Sequence, residues 1–207
     1  MTHIRQSEKV LVMKRLLLIL ILTLSIHTLS KAEGISDFEI EGMSIGDSLL
    51  TFFDKNKISK SIVDWYDDLE KNKYVSLAFD SNNFNQYDFV DVWTKYGDKK
   101  FKIVAIAGVD YFGKNKEIND IKHCYVEQLK IAEDISRLFS NSKMDGPHTI
   151  THESDPSGKS TYTDIYFDID NKHEAVIGCY DWNENLKDKA DHIYITLRSK
   201  KFAAWLR

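Results

Sequence analysis

The spacing of apolar residues predicts two helices at the start of the chain's folded part. Ser44 and Asp47 form a capping-box pattern, and apolar residues follow them at helical spacing as far as about Lys55. From Asn56 to Leu69, apolar residues recur at intervals of four, three and four. We therefore expect a short first helix and a second helix capped near Asn56.

The apolar period then changes to two, which is typical of strands with one buried face. Strands are predicted at residues 74–79, 87–96 and 101–109, with Gly97-Asp98 as the turn of a hairpin. The third strand is apolar on both faces apart from Lys102. This pattern predicts a central place in the sheet.

The helical period returns from Ile118 to Phe139 and predicts the longest helix. Residues 140–159 hold both prolines and are predicted to form a long loop or an irregular hairpin. A last helix is predicted after Ser199. Between the loop and this helix, three further strands are predicted at residues 160–168, 174–180 and 192–198.

These elements together predict an α+β fold with the order α-α-β-β-β-α-β-β-β-α. Short connections between consecutive strands indicate antiparallel meanders, about six strands in total, covered on one face by helices. No linker or low-complexity tract divides the sequence, so we expect one domain over residues 33–207.

Residues 1–32 have the pattern of a secretory signal peptide. Lys14-Arg15 precedes the apolar run Leu16–Ile26, and Ala32 ends a small-residue exit. Met13 is an alternative start. The run is shorter than the roughly 20 residues of a spanning helix, so we expect cleavage and no stable membrane insertion; a retained anchor is the alternative. The predicted location is the periplasm or the extracellular space.

Charge and cysteine content fit an exported protein. The whole chain carries a net charge of −4, and residues 1–32 contribute +4, so the remainder carries −8. An acidic domain repels phosphate backbones, which argues against a nucleic-acid partner. Cys124 and Cys179 are the cysteines of the chain, and an oxidising compartment favours a disulfide between them over two buried thiols.

The segment from Glu41 to Leu50, E-G-M-S-I-G-D-S-L-L, resembles the opening of an uncharacterised family of exported bacterial proteins. The predicted element order is distantly similar to outer-membrane assembly lipoproteins of the SmpA/OmlA type. It is also similar to β-lactamase inhibitory protein-like modules, which double that unit. The lipid-anchoring cysteine of the lipoproteins is missing. The resemblance implies a binding or assembly module, with no catalytic residues to transfer.

One set of residues could support esterase chemistry. Gly46-Asp47-Ser48-Leu49 resembles the nucleophile block of GDSL esterases, and Asp145 with His148 resembles their late Asp-x-x-His. A serine nucleophile, a histidine base and an orienting aspartate form a chemically sensible triad. The family's glycine block is missing, and the capping box explains Asp47 and Ser48 completely.

A second set could bind a metal ion. His148, His152 and Glu153 offer two imidazoles and a carboxylate, which are ligands that zinc accepts. Pro147 and Pro156 place them in a loop, where solvated polar side chains are the simpler interpretation.

Aromatic residues on the predicted strands suggest a binding surface. Tyrosine and tryptophan on an open sheet face suit a protein, peptide or glycan partner, although core packing explains them equally well. The candidates are Trp93, Tyr162, Tyr166, Trp182 and Tyr194. We therefore predict an exported binding or assembly domain without catalysis or cofactor, whose partner is an envelope protein, peptide or glycan. The alternative is a periplasmic hydrolase using Ser48 or the Asp145–Glu153 loop.

Overall fold

The structure, a computed structural model, describes residues 34–63, 73–80, 84–112 and 121–207. Within these ranges one antiparallel sheet contains the strands β1 (Ile62–Val63), β2 (Tyr74–Asp80), β3 (Phe89–Lys95), β4 (Ile103–Tyr111), β5 (Lys143–Thr151), β6 (Thr161–Asp168), β7 (His173–Asp181) and β8 (His192–Ser199). The α-helices of the same ranges are α1 (Lys55–Lys60), α2 (Ile121–Leu138) and α3 (Lys200–Leu206).

Two four-stranded meanders make up the sheet. Its order is β1-β2-β3-β4-β8-β7-β6-β5, so β4 and β8 join the meanders and β5 lies at a sheet edge. Antiparallel pairing allows consecutive strands to be joined by short turns, such as residues 169–172 between β6 and β7. In the β3–β4 turn, Gly97 adopts a φ of 74°, and the Asp98 carboxylate accepts the N–H groups of Lys100 and Lys102 at 2.9 Å each.

Helix α2 covers one face of the sheet. Cys124 in this helix forms a disulfide with Cys179 of β7, which confirms the predicted bridge; their Cα atoms are 6.0 Å apart. One turn later, buried Gln128 donates to the carbonyls of Thr163 and Ile177 at 2.6 and 2.8 Å. On the same face, one fully buried row of paired residues crosses the sheet: Leu77, Val92, Ile106, Leu197, Ala175 and Phe167.

The short helix α3 covers part of the opposite face. Ser199 caps it, as predicted, by accepting the N–H of Phe202 at 3.2 Å. The ring of Phe202 packs against Tyr74 and Trp93, with centroids 5.2 and 5.3 Å apart. The prediction that helices cover a single face is therefore wrong, because α2 and α3 lie on opposite faces.

The predicted element order is also wrong. The second predicted helix ends at Lys60, and residues 62–63 pair with β2 as an edge strand. Part of the predicted loop of residues 140–159 forms β5. Pro147 lies at a break in the β5–β6 register, a position where an edge strand tolerates proline. The fold is thus a wide antiparallel sheet with eight described strands.

The predicted first helix is a 3-10 turn, Leu49–Thr51. The Ser44 hydroxyl donates to the carbonyl of Phe38 at 2.9 Å, and Ser48 caps the turn instead. Gly46 has a φ of 97°, which lies outside the right-handed helical region and prevents a helix from continuing through this position.

Some predictions fall outside the described residues. These are the signal peptide of residues 1–32 and the positions Trp65 and Leu69 of the second predicted helix. In the part of the chain that the structure describes, no helix has the length and apolar character needed to cross a membrane.

Removing the disulfide should destabilise the domain. Replacing Cys124 and Cys179 by alanine opens a cross-link with a sequence separation of 55 residues. The added chain entropy of the unfolded state should lower the free energy of unfolding by about 4 kcal/mol. Urea unfolding measures the change, and reduced wild-type protein, the control, should unfold at the same urea concentration as the double variant. Coincident unfolding of the variant and oxidised wild type would contradict the prediction.

Candidate functional site

Rings from four strands line up across the face of the sheet opposite α2. Tyr162 of β6 pairs with Tyr180 of β7. Tyr180 in turn pairs with His192 of β8, and His192 with Tyr111 of β4. Successive ring centroids lie 5.6, 4.5 and 5.5 Å apart. These distances are close to the strand spacing of about 4.8 Å, so sheet geometry itself brings the rings into contact.

Two further rings extend this line towards the connections at the end of the sheet. His152 follows β5 and Trp182 follows β7, with centroids 4.3 Å apart. The Trp182 ring also lies 5.8 Å from that of Tyr180. Tyr162, Tyr180 and Trp182 are half-buried, so part of each ring faces solvent. We call this set the aromatic row: Tyr111, His152, Tyr162, Tyr180, Trp182 and His192.

A buried carboxylate supports the row from the adjacent strand positions. Asp164 is 4% exposed and accepts hydrogen bonds from the hydroxyls of Tyr194 and Tyr166 at 2.8 and 3.0 Å. Burial raises the pKa of Asp164, and the two hydroxyl donors oppose that shift. Burial and the Asp164 charge raise the pKa of Tyr194 well above 10 and that of Tyr166 to about 12. Both hydroxyls therefore remain donors at neutral pH.

Gly178 provides the space for this network. It lies on β7 between its pairing partners Asp164 of β6 and Tyr194 of β8. A Cβ atom at this position would overlap both the Tyr194 ring and the Asp164 carboxylate. A side chain at residue 178 would therefore prevent the hydroxyl from crossing β7 to the carboxylate.

The two connections beside the row are bonded to each other. In the β5–β6 connection, the Asp155 carboxylate accepts the N–H and hydroxyl of Ser160 at 2.9 and 2.7 Å and the N–H of Ser157 at 2.9 Å. Hydrogen bonds from these serines strongly lower the pKa of Asp155. In the β7–β8 connection, Asn183 donates to the hydroxyl oxygens of Ser160 and Ser157, each at 3.0 Å. These bonds hold both connections next to Trp182.

Burial lowers the pKa of both imidazoles of the row, which favours their neutral forms. Burial and the nearby ammonium of Lys189 lower the pKa of His152. Burial also lowers the pKa of His192, although the carbonyl of Ala190 opposes the shift. The Lys189 ammonium lies 5.4 Å from the centroid of the Trp182 ring, within the range of a cation–π contact.

The residues predicted to form an esterase triad lie apart. The Ser48 hydroxyl donates to the carbonyl of Lys100 at 2.6 Å, and Ser48 bridges to Lys102 beside β4. Asp145 and His148 belong to β5 and interact at 2.9 Å. Four strand spacings separate β4 from β5, about 19 Å at the usual spacing. The structure therefore does not bring Ser48 to the Asp145–His148 pair.

The predicted metal ligands also have other contacts. His148 interacts with Asp145, and the His152 ring packs against Trp182. Among the residues that the structure describes, no three His, Cys, Asp or Glu side chains, including Glu153, form a group that could hold a metal ion.

Four of the aromatic residues predicted for a binding face lie in the row or next to it: Tyr162, Tyr166, Tyr194 and Trp182. Trp93 belongs to the same sheet face but is 6% exposed and packs against Phe202 of α3. Its assignment to the binding face is wrong, because α3 makes it part of the core.

Tyr111, His192 and Asp164 are not among the residues that the sequence predicts for the site. His152 is predicted as a metal ligand instead. Alternation along β6 could have placed Asp164 on one face with Tyr162 and Tyr166. The cross-strand register that joins His192 to Tyr180 has no signal in the local pattern.

No protein-family model, curated protein or solved structure matches the chain. The resemblance to exported assembly modules therefore stays a prediction.

Substituting Gly178 by alanine should disrupt the network beneath the row. The added methyl group forces Tyr194 or Asp164 to move, and we expect the free energy of unfolding to fall by about 1–3 kcal/mol. Urea unfolding measures this loss. In a Tyr194→Ala background the same substitution should cost less, because the overlapping ring is gone. An equal cost in both backgrounds would show that the Tyr194 ring is not the obstacle.

Proposed function

We propose that the chain is an exported binding domain that holds its partner on the aromatic row. The observation that supports this proposal is the concentration of tyrosine and tryptophan rings on a sheet face that no long helix of the described residues covers. Such side chains supply large contact areas at a low entropic cost and dominate the energetics of many interfaces.

Rigidity of the row favours recognition over a purely structural role. Asp164 fixes the tyrosine beside it, and Asp155 with Asn183 fixes the two connections next to Trp182. A surface held in one conformation loses little entropy when a partner binds. Rings that only stabilised the sheet would lie on its strands. His152 and Trp182 instead lie beyond the ends of β5 and β7.

Export is part of the proposal. The disulfide between Cys124 and Cys179 is compatible with an oxidising compartment, and the predicted signal peptide supports a periplasmic or secreted location. A protein, peptide or glycan of that compartment would be the partner. The hydrolase alternative gains no support, because Ser48 lies four strands from the Asp145–His148 pair.

A ligand array of peptides and glycans tests the proposal. Wild type should retain at least one ligand that Trp182→Ala loses, since this substitution removes the largest ring of the row. Tyr96→Ala is the matched control, because Tyr96 is 60% exposed and follows β3, away from the row. Circular dichroism verifies the fold of each variant. Equal retention of every ligand by wild type and Trp182→Ala would contradict the proposal.

A further inference from the structure

Tyr180, in the middle of the row, has little ring face left for a flat ligand. Tyr180 is nearly parallel to Tyr162, Trp182 and His192, with interplanar angles of 25°, 15° and 14°. Rings stacked in this way cover much of the faces of Tyr180. A pyranose that stacks on an aromatic platform needs an open face, so this geometry disfavours glycan stacking on Tyr180.

The charges around the row are mostly negative. Carboxylates act on Tyr162, Tyr111 and His152, whereas Lys189 supplies a positive charge that acts on both imidazoles. The carboxylates are Asp88, Asp91, Glu153, Asp155 and Asp164. Because the sequence from residue 33 onwards also carries a net charge of −8, the field at the row attracts cations.

Lys189 shows how a cation fits the site. Its ammonium lies over the Trp182 ring at 5.4 Å, at the end of the row where the two connections meet. The indole of tryptophan is the best aromatic partner for a cation. An exposed lysine on a connecting segment can leave that ring at little cost, so another cation can take its place.

We infer that the aromatic row recognises a basic segment of a protein partner, with a lysine or arginine side chain displacing Lys189 from the Trp182 ring. This inference rests on the proposed function and adds the chemistry of the partner to it. Lys189 is then an internal substitute for the ligand, and it competes with the partner for the same ring.

Calorimetric titration with a hexa-arginine peptide tests the inference, at about 0.15 M salt to limit long-range attraction. Lys189→Gln removes the competing cation and should tighten binding about two- to tenfold. Lys187→Gln, in the same connection, removes an equal charge and should tighten binding less. Trp182→Phe should weaken binding, and Tyr96→Ala should leave it unchanged.

Other outcomes would overturn the inference in distinguishable ways. Equal effects of the two lysine substitutions, with binding that does not depend on Trp182, would indicate diffuse attraction to an acidic protein. Binding of chitohexaose or cellohexaose that depends on Trp182, without binding of hexa-arginine, would identify a glycan site. Such glycan binding would refute the inference of a basic partner and still support the proposed binding function. Binding of neither kind of probe would also refute the inference, and the ligand array then decides the proposed function alone.

Discussion

A wide sheet has two faces, and in the described residues one long helix shields one of them. Helix α2 covers one face, and the seven-residue α3 covers part of the other. Among the described residues, the side chains of the sheet itself shield the rest of the second face. Neighbouring strands lie about 4.8 Å apart, so rings at paired positions come into stacking contact without distortion. Tyr162, Tyr180 and His192 occupy such paired positions. Their stacking therefore determines the surface that a partner would contact.

Strand β7 connects the two faces through three successive residues. Gly178 gives the Tyr194 hydroxyl a path to Asp164, and Tyr180 forms the middle of the aromatic row. Cys179 points to the other face and bonds covalently to α2. The disulfide, the buried carboxylate and the row therefore depend on the position of one strand. This explains how a half-buried set of rings can be rigid although no long helix in the described part of the chain lies over it.

Local patterns predicted the long helix, most strands and the cysteine pair, because each depends on residues close in sequence or on compartment chemistry. They failed where tertiary contacts decide the outcome. Residues 143–151 form an edge strand because β6 offers a pairing partner, although Pro147 suggested a loop. Trp93 is core because α3 folds over it, which strand alternation cannot reveal. Alternation identified several ring positions of the candidate site, whereas the register that aligns them across strands becomes visible only in the assembled sheet.

If the aromatic row binds a partner, its rings should be covered when the domain is in its native surroundings. Hydroxyl-radical footprinting, read by mass spectrometry, can compare side-chain reactivity in two samples. One is the purified domain, and the other is the native fraction, meaning the cell or culture fraction that naturally contains the domain. We predict that Trp182 and Tyr162 react in the purified domain and become protected in the native fraction. Tyr96, 60% exposed and away from the row, should react equally in both. Unchanged reactivity of Trp182 and Tyr162 between the two samples would contradict the binding of a partner at the row.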